Sequence, residues 1–208
     1  MKEERLMKEK KLFYTRFERF WHWAQALLII LLLITGFSVH GTLTFLPFGK
    51  AVTLHNQLAW LLISLTVFAI FWHLTTGQWK QYTPTLEKAA EMVCYYSRDI
   101  FKGCEHPVKK DVDRKLNPLQ RITYFLLKVV LFPFQLITGL LYFYSNQLGM
   151  SMNIGTIARL HTIGAFAFLC FLIVHVYLAT TGETIGAHFK AMITGWEEIE
   201  VKETGESI

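Results

Sequence analysis

The chain has 208 residues with a formal net charge of +5, and 18% of them are charged whereas 15% are aromatic. Soluble domains carry about 25% charged residues. Here nearly all of the charges lie in residues 1–19, 80–121 and 183–208. Four stretches contain no charge and exceed the about 20 apolar residues that a membrane-spanning helix needs, namely residues 20–49, 51–79, 129–158 and 160–182. This pattern excludes a soluble enzyme and, despite the basic excess, a nucleic-acid-binding protein.

The uncharged stretches predict an all-α integral membrane protein in which residues 1–208 form one four-helix bundle. The helices are expected at about residues 20–39, 54–77, 122–144 and 157–181. The first helix begins too late and runs too long for a signal peptide, and no small-residue cleavage site follows it. We therefore interpret it as a membrane anchor.

The distribution of Lys and Arg predicts the orientation. Eighteen of the 21 lie in the N-terminal segment, the loop of residues 78–121 and the C-terminal tail, whereas the two opposite connections hold Lys50 and Arg159. Because cytoplasmic loops are enriched in Lys and Arg, we expect both termini and this loop to face the cytoplasm. Lys128, near the cytoplasmic end of the third helix, either extends to the lipid headgroups or pairs with a cofactor carboxylate.

The loop of residues 78–121 contains a candidate helix of its own. Thr83 and Pro84 are typical of a helix start. The apolar residues after them recur at helical spacing, at Leu86, Ala90, Val93, Tyr96 and Ile100. This pattern predicts an amphipathic helix on the cytoplasmic surface of the membrane, in contact with lipid.

Six of the eight histidines fall in or at the ends of the predicted membrane helices, namely His22, His40, His55, His73, His161 and His175. Ionisable residues at membrane depth are costly and usually functional. His161 and His175 are 14 residues apart, which places them on one face of the fourth helix and about 21 Å apart along its axis. This spacing suits two metal centres stacked across a bilayer.

The residue types around these histidines favour haem as the cofactor. Two neutral imidazoles are a typical axial ligand pair for haem iron in electron transfer. Zinc is less suited, because the chain offers no carboxylate or thiolate at these depths. No CxxCH motif is present, which excludes covalently attached haem. The prediction is therefore two non-covalent, b-type haems.

Three short motifs recur in order at nearly constant spacing, which predicts a duplication of two helix pairs. They are LITG at residues 33–36 and 136–139, LH at 54–55 and 160–161, and TTG at 75–77 and 180–182, with offsets of 103, 106 and 105. The first and second helices therefore correspond to the third and fourth.

The duplication suggests how the histidines pair. His55 and His161 are repeat mates near the outer face and are expected to ligate one haem. The repeat mate of His175 is Ala69, so the second helix supplies no partner at that level. His22, near the cytoplasmic end of the first helix, is the better partner for His175 at an inner haem.

The remaining histidines have other expected roles. His73 lies about 6 Å too deep for the level of His175, and it is an interfacial anchor, a proton relay or quinone neighbour, or the true inner ligand. His40 is expected at the outer interface. His106 and His188 lie in polar segments and are expected to be solvated.

Two glycines are expected at the level of the outer haem. Gly36 lies 14 residues beyond His22, and Gly139 is its repeat mate. Glycine at this level either lets a macrocycle approach the backbone or serves ordinary helix packing in membranes.

Together these residues resemble a known family. The His22-Trp23 and Leu54-His55 dipeptides and the pair of His161 and His175 are similar to the integral-membrane di-haem cytochrome b subunits of respiratory oxidoreductases. That family includes the formate dehydrogenase gamma subunit, the nickel–iron hydrogenase cytochrome b and the thiosulfate reductase cytochrome b. Residues 115–124, KLNPLQRITY, most resemble the thiosulfate reductase branch. The resemblance covers the chain apart from its terminal tails and implies an electron-transfer subunit of a membrane complex.

The resemblance also implies a quinone site near the cytoplasm. In the gamma subunit of formate dehydrogenase, an Asn and a Gln three residues apart open the third helix and line a menaquinone site beside the inner haem. Asn117 and Gln120 match that spacing, with His175 as the adjacent ligand, although Leu119 replaces the intervening glycine. The alternative is that Asn117 and Pro118 simply begin a helix.

The predicted function is electron transfer across the bacterial or archaeal cytoplasmic membrane. Electrons would pass between an extracytoplasmic partner (an iron–sulfur protein, a hydrogenase or a multihaem cytochrome c), the two haems, and menaquinone or ubiquinone. The alternatives are haem-dependent transfer without a quinone site, a non-redox membrane anchor for an outer enzyme, and a proton channel or transporter. A channel needs polar residues between the histidine levels, whereas residues 166–174 are apolar.

Overall fold

The computed structural model describes residues 6–104, 107–108, 115–145, 153–181 and 184–202, most of which are helical. The α-helices in chain order are α1 (Arg16–Val39), α2 (Phe48–Thr76), α3 (Ala89–Ser97), α4 (Pro118–Leu126), α5 (Phe132–Tyr144), α6 (Ile154–Ala179) and α7 (Ala187–Thr194). Short 3₁₀ helices cover Gln78–Tyr82 and Asp99–Lys102, and a π-helical turn covers Leu127–Leu131. Two strands lie near the chain ends, β1 (Leu6–Leu12) and β2 (Trp196–Lys202).

Four helices of the described residues are long and apolar enough to cross a membrane, which confirms the expected number. The first span is α1, the second is α2, the third is the continuous helix Pro118–Tyr144 and the fourth is α6. At about 1.5 Å per residue each is longer than a bilayer core of about 30 Å. Large apolar side chains on the spans are more than half exposed, among them Leu27, Val67 and Ile163. Such a surface suits lipid.

Every span begins several residues before the position expected from the sequence, and at three of the four a polar side chain ahead of the apolar stretch caps the helix. At the first span, the Thr15 hydroxyl accepts from the Glu18 N–H, and the Glu18 carboxylate accepts from the Thr15 N–H. Asn117 and Gln120 form the same reciprocal capping box at the third span. Asn153 caps the fourth span. The expected bounds counted apolar residues and therefore missed these polar first turns.

The spans pack chiefly as two neighbouring pairs. The first span lies along the second, and α5 of the third span lies along the fourth, while the first span also contacts the fourth. The buried side chains of these helices include small and polar residues such as Thr35, Ala51 and Ala69. Small residues let helix backbones approach closely within a membrane.

The third span is not a uniform α-helix, because Leu127–Leu131 form a π-helical turn. Pro133 lies in the first turn of α5 directly after it. A proline has no backbone N–H to donate, so it interrupts the helical hydrogen-bond ladder. A wider turn accommodates this interruption without exposing backbone groups to lipid. The helix expected over residues 122–144 is therefore modified at this point, and Lys128 lies on the π-helical turn.

The two strands form a ribbon that the sequence does not predict, so the expected all-α fold is incomplete. β1 pairs with β2 in antiparallel register, with Leu12 opposite Trp196. Next to the ribbon Gly195 has a φ of +89°, and a Cβ there would lie 2.6 Å from the carbonyl oxygen of Tyr14. The ribbon holds the chain before the first span against the chain after the fourth. The charged, alternating sequence of both tails conceals this pairing, because each strand finds its partner only in the other tail.

The predicted surface helix is shorter than expected. It begins at Ala89 and not near residue 83, since Lys88 adopts a left-handed conformation with a φ of 56°. Leu86 and Val93 are 85% and 51% exposed, as contact with lipid requires, whereas Met92 is fully buried. The helix therefore packs on the protein through Met92, which lies outside the apolar stripe that the spacing indicates.

Candidate functional site

His55 of the second span and His161 of the fourth lie opposite each other, with their ring centroids 6.2 Å apart. A threonine of the adjacent span holds each ring. Thr35 Oγ1 is 3.0 Å from Nδ1 of His55. Thr138 Oγ1 is 3.1 Å from Nδ1 of His161. We call these two histidines the outer pair.

The threonines determine which nitrogen of each ring carries the hydrogen. The Thr35 hydroxyl donates to the carbonyl of Leu31 at 2.8 Å, and the Thr138 hydroxyl donates to the carbonyl of Phe134 at 2.8 Å. A hydroxyl has one hydrogen to donate, so each oxygen accepts from the Nδ1–H of its histidine. Nε2 of both rings therefore keeps a lone pair, which is the form that binds a metal.

Two glycines let the outer pair approach the helices closely. A Cβ on Gly36 would lie 3.3 Å from Cε1 of His55, and a Cβ on Gly139 would lie 3.0 Å from Cε1 of His161. The two LITG motifs thus make equivalent contacts, from threonine to Nδ1 and from glycine to Cε1. The space that these glycines leave is used by the histidine rings, a use that the sequence does not indicate.

Gln135 is a contact of the outer pair that sequence reasoning missed. Its Nε2 lies 3.1 Å from Nε2 of His161, and its buried Oε1 has no hydrogen-bond partner among the described residues. Because an amide nitrogen only donates, Nε2 of His161 is the acceptor, which agrees with the tautomer set by Thr138. Leu32 is the residue before the other LITG motif, at the position that matches Gln135, so this contact has no counterpart at His55. Gln135 could have been found from the sequence, because it is a polar side chain within an uncharged, membrane-spanning stretch.

His22 of the first span and His175 of the fourth form an inner pair, with ring centroids 6.1 Å apart. The ring of Phe171 stacks on His175 at 5.5 Å. The Tyr124 hydroxyl lies 3.3 Å from Nδ1 of His175. Nδ1 of His22 is buried and has no hydrogen-bond partner in the described part of the chain. The structure thus brings together the two histidines that were expected to pair at the inner level.

Both pairs have the separation that a single metal ion between two imidazoles needs. An imidazole nitrogen binds a transition metal at about 2 Å, so two rings on opposite sides of one iron have centroids about 6 Å apart. No group of three or more His, Cys, Asp or Glu in the described residues could bind a metal ion by itself. A centre with two protein ligands per metal fits haem, because the macrocycle supplies the other four positions.

His73 is held apart from both pairs. Its Nδ1–H donates to the carbonyl of Ala69 at 2.7 Å. Its buried ring packs against Trp21, Trp72 and Tyr82 at centroid distances of 4.9, 5.1 and 5.6 Å. Among the described residues no ring contact joins it to the inner pair. This position favours a neighbour of the inner site over a second inner ligand.

A cavity of about 430 Å³ adjoins the inner pair. Residues from several elements share its wall with the two histidines, including Glu18, Tyr82, Gln120, Tyr124 and Lys128. Burial raises the pKa of the Tyr82 hydroxyl above its usual range, so this hydroxyl stays protonated. The cavity therefore combines aromatic walls with a few polar groups, as small-molecule sites do.

A buried ion pair closes one side of this cavity. Lys115 Nζ lies 2.9 Å from the Glu18 carboxylate, and the two side chains are 11% and 14% exposed. Lys115 also lies over the ring of Tyr14 at 5.9 Å. The ion pair joins the beginning of the first span to the segment that leads into the third.

Asn117 and Gln120 differ in their relation to the cavity. Asn117 is buried, its Oδ1 accepts from the Gln120 N–H at 2.8 Å, and its Nδ2 donates to the Tyr96 hydroxyl at 3.1 Å. Gln120 lines the cavity together with Leu119. Its Oε1 accepts from the Asn117 N–H at 3.0 Å, which leaves Nε2 as a donor. Asn117 therefore caps the helix, and Gln120 presents a polar group to the cavity.

The remaining histidines lie in different surroundings. His188 is 3.7 Å from the Glu197 carboxylate and lines the cavity, and its side chain is 29% exposed. The ring of His40 contacts the Thr42 hydroxyl at 3.3 Å, at the end of the first span. His106 lies outside the described residues.

Known proteins resemble this chain over most of its length. The family model of prokaryotic cytochrome b561 matches residues 13–195. The cytochrome YdhU of Escherichia coli K12 is 32% identical over 196 residues, which cover 90% of this chain and 75% of that protein. A Ni/Fe-hydrogenase B-type cytochrome subunit of Rhodobacter capsulatus is 24% identical over 204 residues, which cover 85% of this chain and 77% of that protein. No solved structure matches the chain.

Proposed function

The chain belongs to the prokaryotic cytochrome b561 family, and on this basis we propose that it transfers electrons across the membrane through two b-type haems in series. Membership makes it a multi-pass membrane protein that carries b-type haem and takes part in electron transfer. The number of haems, the quinone, the orientation and the partner are parts of the proposal.

The observation that carries the proposal is the presence of two imidazole pairs at the separation of an axial ligand pair. The ring centroids are 6.2 Å apart in the outer pair and 6.1 Å apart in the inner pair. His55 and His161 would hold the outer haem, and His22 and His175 the inner haem. When bound, haem supplies reversible one-electron chemistry, while the protein supplies the axial ligands and the surrounding dielectric.

The fourth span connects the two centres. His161 and His175 both lie on α6, 14 residues and therefore about 21 Å apart along its axis. The intervening residues 166–174 are apolar, and Phe168 among them is buried. This segment excludes water between the two levels, which suits electron transfer and disfavours a histidine relay for protons or a transported solute.

The equivalent contacts of the two LITG motifs support an internal duplication. In each helix pair the threonine contacts the Nδ1 of a histidine and the glycine faces Cε1 of the same ring. If the LITG motif recurred by chance, the same two contacts would not be expected in both helix pairs. The repeated unit would then be one helix pair with one outer ligand.

The cytoplasmic location of both termini rests on the charge distribution. The segments expected in the cytoplasm contain 18 of the 21 Lys and Arg residues. The ribbon of β1 and β2 supports a common side for both ends, because it joins the chain before the first span to the chain after the fourth. The inner pair and the cavity would then lie near the cytoplasm.

The cavity beside the inner pair is the proposed site for menaquinone or ubiquinone. Gln120 lines it, and its Nε2 can donate to a quinone carbonyl oxygen. Asn117 would act indirectly, because its side chain caps the third span and binds Tyr96. Proton exchange at this site would take place on the cytoplasmic side, so electron flow from outside to inside would charge the membrane.

The proposed partner is a redox subunit on the opposite, extracytoplasmic side. One relative is named as the B-type cytochrome subunit of a Ni/Fe hydrogenase, and this chain would serve such an enzyme or another iron–sulfur or multihaem protein. The outer pair lies toward the end of the bundle that carries Lys50 and Arg159. A partner docked there would exchange electrons with the outer haem first.

The test is haem content and quinol reactivity of the chain purified from haem-replete membranes. We expect two extractable haems per chain, a bis-imidazole b-type reduced-minus-oxidised spectrum, and reduction of haem by a quinol. Gln120→Leu should slow reduction by quinol but not by dithionite, and Thr66→Val, in the second span, is the control. No haem would indicate a non-redox anchor, and haem that quinol does not reduce would indicate transfer without a quinone site.

A further inference from the structure

Lys128 carries a charge into the third span, one helical turn beyond Tyr124. It lies on the π-helical turn Leu127–Leu131, and such turns within α-helices frequently mark functional sites. Its side chain is only partly exposed and lines the same cavity as the inner pair. Lys128 is therefore a charged residue at membrane depth, on an irregular turn of the helix and beside the inner pair.

Aromatic rings and not an anion surround the Lys128 ammonium. Its Nζ lies 3.1 Å from the ring centroid of Tyr82 and 4.8 Å from that of Trp21. No carboxylate of the described residues lies within 4.0 Å of it. The Glu18 carboxylate, which lines the same cavity, is already bound by Lys115. Within the described part of the cavity wall, Lys128 is the lysine without an ionic partner.

Extension to the lipid headgroups does not account for this arrangement. A lysine that reaches the headgroups places its ammonium in water, whereas the Tyr82 ring covers Nζ of Lys128. An ammonium at membrane depth is costly, and aromatic faces compensate only part of its lost hydration. An anion bound in the cavity would supply the counter-ion that the described residues do not provide.

We propose that Lys128 binds a propionate carboxylate of the inner haem. This inference rests on the proposed function, which places that haem between His22 and His175. Non-covalent haem is a largely apolar plate with two carboxylate side chains, and the ammonium of a lysine can bind one of them through a strong, charge-assisted hydrogen bond. Tyr82 and Trp21 would hold the ammonium in place and exclude water from the ion pair.

The test compares Lys128→Met and Lys128→Arg with wild type and with Lys80→Met. Lys80 is an exposed lysine near Tyr82 that does not line the cavity, so its replacement is a matched loss of charge. The readouts are the two haem midpoint potentials without quinone and the rate of haem transfer to apomyoglobin. A charge-assisted hydrogen bond lost on Lys128→Met should speed the release of one haem by roughly tenfold or more. The potential of the same haem should fall, because a nearby positive charge favours the reduced state.

A second measurement keeps the test decisive if Lys128→Met binds little haem. Wild-type and variant chains made without haem are reconstituted with haem and with haem dimethyl ester, whose propionates are blocked. Wild type should bind one ester molecule roughly tenfold more weakly than haem. Lys128→Met should lose this preference, and Lys128→Arg should keep part of it.

The outcomes separate the two proposals. A wild-type chain that binds no haem would reject the proposed function itself. The propionate contact alone would be rejected if wild type and Lys128→Met both bind two haems and do not differ in haem release, midpoint potentials or preference for haem over its dimethyl ester. A change confined to the KM for quinol would also reject it and would assign Lys128 to the quinone.

Discussion

Thr35 and Thr138 each serve two neighbours through one hydroxyl group. Each donates to a carbonyl of its own helix and accepts from the Nδ1–H of a histidine, so the tautomer of the ring is set before any cofactor binds. Such outer hydrogen bonds orient a metal ligand and raise its basicity. The two threonines would therefore be positioning residues for the proposed outer haem.

Replacing these threonines should weaken the outer haem selectively. Valine keeps the branched shape but cannot accept from Nδ1–H, and loss of such a partner costs about 10–100-fold in metal affinity. We expect Thr35→Val and Thr138→Val to accelerate the release of one of the two haems to apomyoglobin. Thr66→Val is the control, because among the described residues the Thr66 hydroxyl hydrogen-bonds to the carbonyl of Leu62 and to no histidine. A similar acceleration in all three variants would contradict the positioning role.

The assignment of the inner ligand is tested by His22→Ala against His73→Ala. The first change removes a ring of the inner pair, so we expect one haem to be lost and the other retained. The second removes a ring that packs among aromatic side chains, so both haems should remain bound. Haem extraction and low-temperature absorption spectra measure the result. Loss of a haem in His73→Ala, with two haems in His22→Ala, would reverse the assignment.

At the residue scale the sequence predicts the pairing but not the supporting contacts. The four histidines are paired by the match of His55 with His161, by Ala69 at the position that matches His175, and by the level of His22 in the first helix. The contact of Gln135 with His161 depends instead on the rotation of two nearly uniformly apolar helices about their axes. Periodicity carries little information on that rotation when lipid and protein faces are equally apolar.

At the element scale, Gly36 and Gly139 control how closely the helices approach the outer pair. We expect Gly139→Ala to disturb the outer haem most, since its Cβ would lie 3.0 Å from the His161 ring, and Gly36→Ala somewhat less at 3.3 Å from His55. Overpacking of this kind costs about 1–3 kcal/mol. Thermal unfolding and the potential of the outer haem are the measurements.

Gly49→Ala is the matched control for these glycines. Gly49 lies in the second span and has no atom within 4 Å of an added Cβ. Alanine there should leave both haem potentials unchanged and should not lower the unfolding temperature. Equal shifts in Gly49→Ala and Gly139→Ala would show that helix propensity and not ring contact sets the effect.

The elements were predictable to different degrees for physical reasons. Long apolar stretches identify the four spans, because bilayer thickness sets a minimum length. The π-helical turn at Leu127–Leu131 escaped prediction, since a proline within an apolar helix can be accommodated in several ways. The ribbon of β1 and β2 also escaped, because its two strands are about 190 residues apart in sequence and each looks like a charged tail.

At the scale of the whole molecule, the two ends of the bundle differ in charge and in structure. One end carries the ribbon, α3, α7 and the cavity beside the inner pair, while the other carries the short connection that contains Lys50. Electron transfer between a partner and quinone on opposite sides requires this polarity. The orientation of the chain therefore decides which haem each partner meets.

Labelling of the two ends of the second span tests that orientation. Cys94, Cys104 and Cys170 are exposed free thiols and are first replaced by serine. In the resulting chain we expect a membrane-impermeant maleimide to label Lys50→Cys in intact spheroplasts, because the excess of Lys and Arg predicts that the opposite end lies in the cytoplasm. Lys80→Cys should react only after the membrane is permeabilised. Retention of both haems in the absorption spectrum shows that each variant is assembled. Labelling of Lys80→Cys in intact spheroplasts would show that the chain has the opposite orientation, with the inner pair on the extracytoplasmic side.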